Sequence, residues 1–297
     1  MKKLFLVICI GVYTLVYANI NAVVSIVPQE TFLKKIGGDK VNITTMIKPG
    51  SSPHTYEPKP SQMKDISKAD IYFTIDVEFE HNWLKKFQNQ NKSMIIKYMG
   101  KNINKIKMEE HSHHDEEEGH DDHDKHDDHA KEHHEEEGEE PHIWTSPENV
   151  KIIANNIFNE LSNLDKSNTI YYKKNLDIFL KEIEQTDKKI KNLLKNTTKH
   201  TKFMVFHPAW GYFAKDYHLE QLAIESGGKN PKPKQLAHLI DEAKEEKVQA
   251  VLTAPEFSTS SAKQIAKEVG VPVIKISPLN PKWSENLINL AEAISKK

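Results

Sequence analysis

Apolar residues in this chain fall into short β-branched runs separated by segments of helical period, and the alternation is run through twice. Residues 22–27 (AVVSIV) read as a buried strand and 29–36 as a helix stopped by Gly37 and Gly38. Residues 40–47 form a second β-branched strand that runs into a loop of turn formers at 48–60, KPGSSPHTYEPKP. A capped helix at 61–68, a strand at 70–75, a helix at 80–90 and a strand at 94–97 follow. This β-α-β-α rhythm predicts a mostly parallel sheet covered by helices.

After a helix at 147–161 that starts on Ser146, the most regular segment of the chain covers 166–195. Leu176, Leu180, Ile183, Asp187, Ile190 and Leu194 recur at steps of four, three, four, three and four, with lysines and acids between them. Such a helix would reach ~45 Å at 1.5 Å per residue and could join two lobes rigidly. The second half then repeats the first, with strands at 202–206, 219–224, 248–253 and 271–276, helices between them and a last helix at 284–295. The predicted organisation is a leader at 1–18, an α/β lobe at 19–164, a linking helix at 165–196 and a second α/β lobe at 197–297. Two lobes of this kind leave a cleft at the carboxyl ends of their strands, where open sheets bind ligands.

The rhythm is broken between residues 109 and 140. That window holds nine of the chain's 16 histidines (His111, His113, His114, His120, His123, His126, His129, His133 and His134), with 17 acids, two lysines and no large apolar side chain. Such a segment cannot bury enough surface to offset its ordering entropy, so disorder is expected. Neutral imidazoles interleaved with carboxylates can wrap a borderline metal cation in many ways, which predicts weak, multiple and pH-dependent sites. A solvated charge run is the plainer reading, and the density of histidine argues against it.

With two lysines against 17 acids the window carries −15, so the rest of a chain of net charge −2 carries +13. The surplus is scattered lysine without a basic stripe, and no nucleic-acid partner is expected. Residues 1–18 have the parts of a secretory signal: Lys2 and Lys3, an apolar core from 4 to 16, and a Val-Tyr-Ala end suited to cleavage after Ala18. The single cysteine, Cys9, lies inside that core behind Ile8, where a lipid-attachment site would want a small residue. A mature chain beginning after Ala18 would have neither disulfides nor thiolate ligands.

Three histidines sit where the cleft would be lined. His54 follows the second strand, His142 follows the acidic run, and His207 ends the first strand of the second lobe, each next to a proline (Pro53, Pro141, Pro208) that restricts its backbone. A cation between them would tie the lobes together. His81, His200, His218 and His238 lack this setting and are expected at ordinary surface or helix positions, while the aromatics from Trp210 to Phe213, with Tyr217, are expected to pack beside the cleft.

Four phrases make a resemblance specific: PGSSPHTYEPKPSQMKDISKADIYF, PHIWTSPENV, FMVFHPAWGYFAKDY and APEFSTSSAKQIAKEVGVPVIKISPLNPKW. Together they resemble the signature regions of the zinc and manganese binding proteins of bacterial ABC uptake systems, the cluster A-I or ZnuA-like group. The resemblance implies two α/β lobes on a rigid helix, a cation in the cleft, a periplasmic location, and delivery to a membrane permease driven by a cytoplasmic ATPase. It also implies His54, His142 and His207 as ligands. Where many members carry an aspartate in Asp-Pro-Leu this chain has Ser277-Pro278-Leu279, and Ala254 replaces a usual glutamate. A water or Glu256 is left to complete the shell. Three imidazoles with one open position suit four-coordinate Zn²⁺, whereas Mn²⁺ would want more oxygen ligands.

An enzyme could use the same three imidazoles, but the sequence shows no His-Glu-x-x-His helix, no two-metal aspartate pattern and no nucleophile elbow, and no catalytic residue is assigned. Manganese carriage, and zinc buffering or adhesion without transport, are the alternative functions. The chain is expected to act as a monomer.

Overall fold

The computed structural model describes residues 19–108, 138–225 and 229–295. Residues 1–18, expected to be a leader, and the nine histidines of the acidic run lie outside the described residues.

The first sheet contains β1 (Ile20–Val24), β2 (Val41–Thr45), β3 (Ile71–Thr74) and β4 (Ile95–Tyr98), all parallel in the order β2-β1-β3-β4. Of its two inner strands, β3 is buried along its whole length, as a strand covered on both faces should be. The first strand ends at Val24 rather than Val27, because Pro28 begins a helix and the Gln29 side chain turns the chain into it, accepting the N–H groups of Ser25 (2.9 Å) and Ile26 (3.1 Å). That helix, α1 (Val27–Gly37), stops at Gly38, where φ is +58° and a Cβ would lie 2.1 Å from the Tyr171 hydroxyl. Helices α2 (Pro60–Ile66) and α3 (Glu78–Gln90) complete the first lobe's alternation.

Helix α4 (Pro147–Leu164) starts where the sequence predicts, with Ser146 Oγ accepting the Asn149 N–H at 3.1 Å. The long helix α5 (Thr169–Leu194) has 26 residues, about 39 Å. It begins three residues later than predicted, because the Asp165 carboxylate accepts the side chains of Ser167, Asn168 and Tyr172 and closes a 3-10 turn first. Its buried stripe is Tyr172, Leu176, Phe179, Ile183, Thr186, Ile190 and Leu194, leaning towards Phe179 and Thr186. Leu180 is only partly buried, and Asp187 instead accepts the Tyr217 hydroxyl at 3.0 Å. The stripe faces several helices at once, since α5 packs on α4, α1 and the last helix of the chain.

The second sheet repeats the first: β5 (Lys202–Val205), β6 (Glu220–Ala223), β7 (Val251–Thr253) and β8 (Val273–Lys275) are parallel in the order β6-β5-β7-β8. Helices α6 (Gly211–Tyr217), α7 (Pro233–Glu245), α8 (Ser260–Val269) and α9 (Trp283–Ser295) accompany it. Among the described residues no helix is long and apolar enough to cross a membrane.

One apolar core crosses from lobe to lobe and a smaller one lies between the second sheet, α7 and α8. At the crossing, Trp283 of α9 meets Phe32 of α1 at 5.6 Å between ring centroids and Phe179 of α5 at 6.4 Å. The Trp283 indole donates to the Trp144 carbonyl (2.7 Å) and the Trp144 indole to the Pro278 carbonyl (2.9 Å), so the seam is fastened by two buried hydrogen bonds. Trp283→Ala should therefore lower the unfolding free energy by about 3–5 kcal/mol in denaturant titrations of metal-free protein. A loss under about 1 kcal/mol would mean that the seam carries little of the fold.

Candidate metal centre

The strands of both sheets point their carboxyl ends at one cleft of about 390 Å³. His54 comes from the loop after β2, His207 from the residues just past β5, and His142 from the segment that leads into α4, and all three line it. The rings of His54 and His142 lie 5.3 and 5.2 Å from that of His207 between centroids. His142 Nε2 and His207 Nε2 are 3.3 Å apart across the lobes. Two nitrogens at ~2.0–2.1 Å from a tetrahedral ion would be separated by ~3.3–3.4 Å. His54 is the outer member of the group, its side chain 41% exposed against 9% for His142 and 10% for His207. Phe257 stacks on the His207 ring at 4.3 Å and keeps one side of the cleft apolar.

Behind each ring stands a carboxylate that the sequence did not single out. Glu78 lies 2.6 Å from His54 Nδ1, Glu225 lies 2.5 Å from His207 Nδ1, and Glu140 faces His142 Nδ1. A carboxylate accepts only, so each Nδ1 carries the proton, and the Nε2 lone pairs of His142 and His207 face each other in the cleft. Glu140 had a sequence signal, standing one proline away from His142. Glu225 had none in the linear chain: β5 and β6 are parallel with Val205 opposite Ala223, and two more residues on each strand bring His207 beside Glu225. Burial holds the His207 imidazole below its ordinary pKa, against the opposing pull of Glu225, so it stays a neutral donor at neutral pH.

Glu140 also corrects the boundary of the acidic run. Residues 139 and 140 fall inside the window expected to be disordered, yet Glu139 pairs with Lys107 in an antiparallel bridge and Glu140 is fully buried, its N–H on the Ile106 carbonyl at 2.9 Å. Glu256 reaches the cleft wall, where both its oxygens lie on the Ser277 hydroxyl at 2.9 and 3.0 Å and burial raises its carboxyl. His81, expected to be an ordinary helix position, lines the same cleft with Nε2 2.7 Å from Asp76. His200, His218 and His238 are not among the lining residues. Among the described residues no three His, Cys, Asp or Glu side chains already form a closed ion-holding group; two inner nitrogens are in position and His54 stands beside them.

The turn that carries Asp76 and Glu78 is built on a buried acid. The Glu80 carboxylate accepts the N–H groups of Ile75 (3.0 Å) and Asp76 (2.7 Å) and the Ser25 hydroxyl, and so holds Asp76 at φ +68°. Desolvation pushes its pKa up to about 7, above the ordinary carboxyl value. With the folded value raised, its stabilisation is full below about 4.5 and is lost as pH rises through about 7. Glu80→Gln should gain stability relative to wild type by up to about 3 kcal/mol between pH 5 and pH 8. A pH-independent difference in chemical denaturation would show that Glu80 is ionised throughout.

Two parallel-sheet lobes on a long helix, with imidazole nitrogens of both turned into the cleft between them, have the architecture of a solute-binding protein. The profile of the family described as "Zinc-uptake complex component A periplasmic" (ZnuA) matches residues 22–296, and the chain belongs to that family, one of transport components rather than enzymes. The zinc-binding protein AdcA of Streptococcus pyogenes serotype M3 is 29% identical over 272 residues, 88% of this chain and 50% of that protein. The chain thus spans about half the length of that relative. The metal ABC transporter substrate-binding lipoprotein FimA of Streptococcus parasanguinis is 27% identical over 249 residues, 81% of this chain and 74% of that protein. A crystal structure of ZnuA superposes with a TM-score of 0.81 at 37% identity, covering 93% of this chain and 98% of the other. A zinc-bound ZnuA lacking residues 138–173 of its own chain gives 0.80 at 36% identity, covering 93% and 97%.

Proposed function

We propose that this protein captures Zn²⁺ in the periplasm and hands it to the permease of an ABC importer, with His54, His142 and His207 as its protein ligands. The observation that carries the reading is the 3.3 Å approach of His142 Nε2 to His207 Nε2. With both Nδ1 protons committed to buried carboxylates, two acceptors face each other at the separation a shared cation would satisfy. Imidazole donors with an apolar ring alongside favour Zn²⁺ over Mn²⁺, which prefers oxygen. The family's description and the names of the relatives support zinc as cargo. Residues 1–18 support export, and extracytoplasmic work fits relatives named as lipoproteins of metal transporters.

In this reading His142 and His207 form the inner half of the site and His54, on its exposed loop, closes the shell. The remaining position falls to water or to Glu256 if it leaves Ser277. The lobes, divided near 165–196 by α5, do no chemistry: they desolvate the ion, orient three rings and release it. The histidines from His111 to His134 collect further Zn²⁺ loosely and raise its concentration near the cleft.

A zinc competition titration tests this. His207→Ala removes the second lobe's ligand and should weaken binding by more than about 100-fold, beyond the loss expected from altering an orienting group. Deleting residues 111–134 should reduce the number of ions held and leave one tight site. Affinity should fall as pH drops below about 6.5, because protons compete for the imidazoles. Equal losses from His207→Ala and from a single replacement in the acidic run, or an affinity flat from pH 7.5 to 5.5, would overturn the assignment.

A further inference from the structure

His54 and His207 each take their orienting carboxylate from their own lobe, Glu78 at the start of α3 and Glu225 just past β6. Glu140 differs. Its backbone N–H is bonded to Ile106 of the first lobe, and its carbonyl accepts the Tyr212 hydroxyl of α6 in the second at 3.1 Å. Its side chain is fully buried in the seam. One oxygen, Oε1, accepts the His142 N–H at 3.0 Å and faces Nδ1 of the same residue. The other, Oε2, is buried without a hydrogen-bond partner among the described residues.

Oε2 is seated against the second lobe. A Cβ placed on Gly211, the first residue of α6, would sit 3.0 Å from it and 3.4 Å from Gln221 Nε2. Gly211 is helical and does not adopt positive φ, so nothing in its own backbone asks for glycine. The missing side chain is the room that the carboxylate occupies.

We propose that Glu140 is a positioning residue through which approach of the two lobes sets the affinity of the cleft for its cation, with Gly211 as its seat. The inference rests on the zinc reading of the site. With the lobes together, Glu140 is cut off from water and its one ring donor is His142 Nδ1–H, so the ring is locked with Nε2 towards the ion. With the lobes apart, water reaches the carboxylate and the ring is free to turn. A buried carboxylate with an unmet oxygen is costly, and positive charge arriving on the far side of the imidazole offsets that cost. Cation binding and lobe closure must then favour each other equally.

The test is a double-mutant cycle on full-length protein, read in two ways. In metal-free ¹⁵N-labelled protein, His142 should show the single Nδ1–H tautomer, and Gly211→Ala should convert it to a mixture. In zinc competition titrations Gly211→Ala should weaken binding about 10–100-fold, the range for disturbing a group that orients a ligand. In the Glu140→Ala background, where the carboxylate is gone and Gln221 Nε2 at 3.4 Å is left in ordinary contact, adding Gly211→Ala should change the affinity less than about twofold. Losses that add in the cycle, or a Gly211→Ala protein with unchanged tautomer and affinity, would overturn the proposal. Absence of a tight site in the wild type would sink the zinc reading instead, and the metal-free tautomers would still judge Glu140.

Discussion

The cleft depends on holding imidazole nitrogens from two separate lobes within a few ångströms of each other, lone pairs inward. Nothing about that arrangement is favourable by itself: the acceptors of His142 and His207 compete for the same small volume, and each ring must give up rotational freedom. The opposing stabilisation comes from around the site. Indole hydrogen bonds of Trp144 and Trp283 fasten the seam, the Phe32–Phe179–Trp283 cluster buries it, and a carboxylate behind each ring fixes its tautomer. The cleft is the place where the fold turns imidazole acceptors inward and backs them with buried carboxylates.

The three rings are not equivalent. His142 and His207 are buried and clamped by buried glutamates, whereas His54 is exposed and its Glu78 partner is exposed too. On the proposed reading, two inner rings on stiff supports with an outer one on a turn-rich loop would suit a carrier, which must exclude water when loaded and still surrender its cargo. The stiffness is shared by α5, which is less a spacer than the middle of the packing: α1, α4 and α9 all rest on it.

Much of this was legible from the chain alone. The paired β-α rhythm predicted two parallel sheets because β-branched runs and helical periods are local signals. His54, His142 and His207 stood out because proline follows or precedes each in a loop at a predicted strand end, and the structure brings them to one cleft. His81 did not stand out: its place on the wall depends on where α3 lies against β3. The end of the acidic run was misplaced because Glu139 and Glu140 look like their neighbours, and only pairing with residues 106–108 and cover by α6 distinguish them.

What the amino-acid order determined by itself was the set of elements, the outer strand boundaries to within a few residues, and the donor chemistry available to the cleft, since these follow from periodicity, turn residues and side-chain type. What the tertiary structure alone decided was which carboxylate stands behind which imidazole. Glu225 reaches His207 through strand register, Glu78 reaches His54 across a lobe, and Glu140 is held by both lobes at once. The carboxylate–imidazole pairs are 2, 18 and 24 positions apart in sequence, with Glu225 2.5 Å from His207 and Glu78 2.6 Å from His54, and the Tyr212 contact that holds Glu140 spans 72 positions; no local preference encodes a distance across a seam.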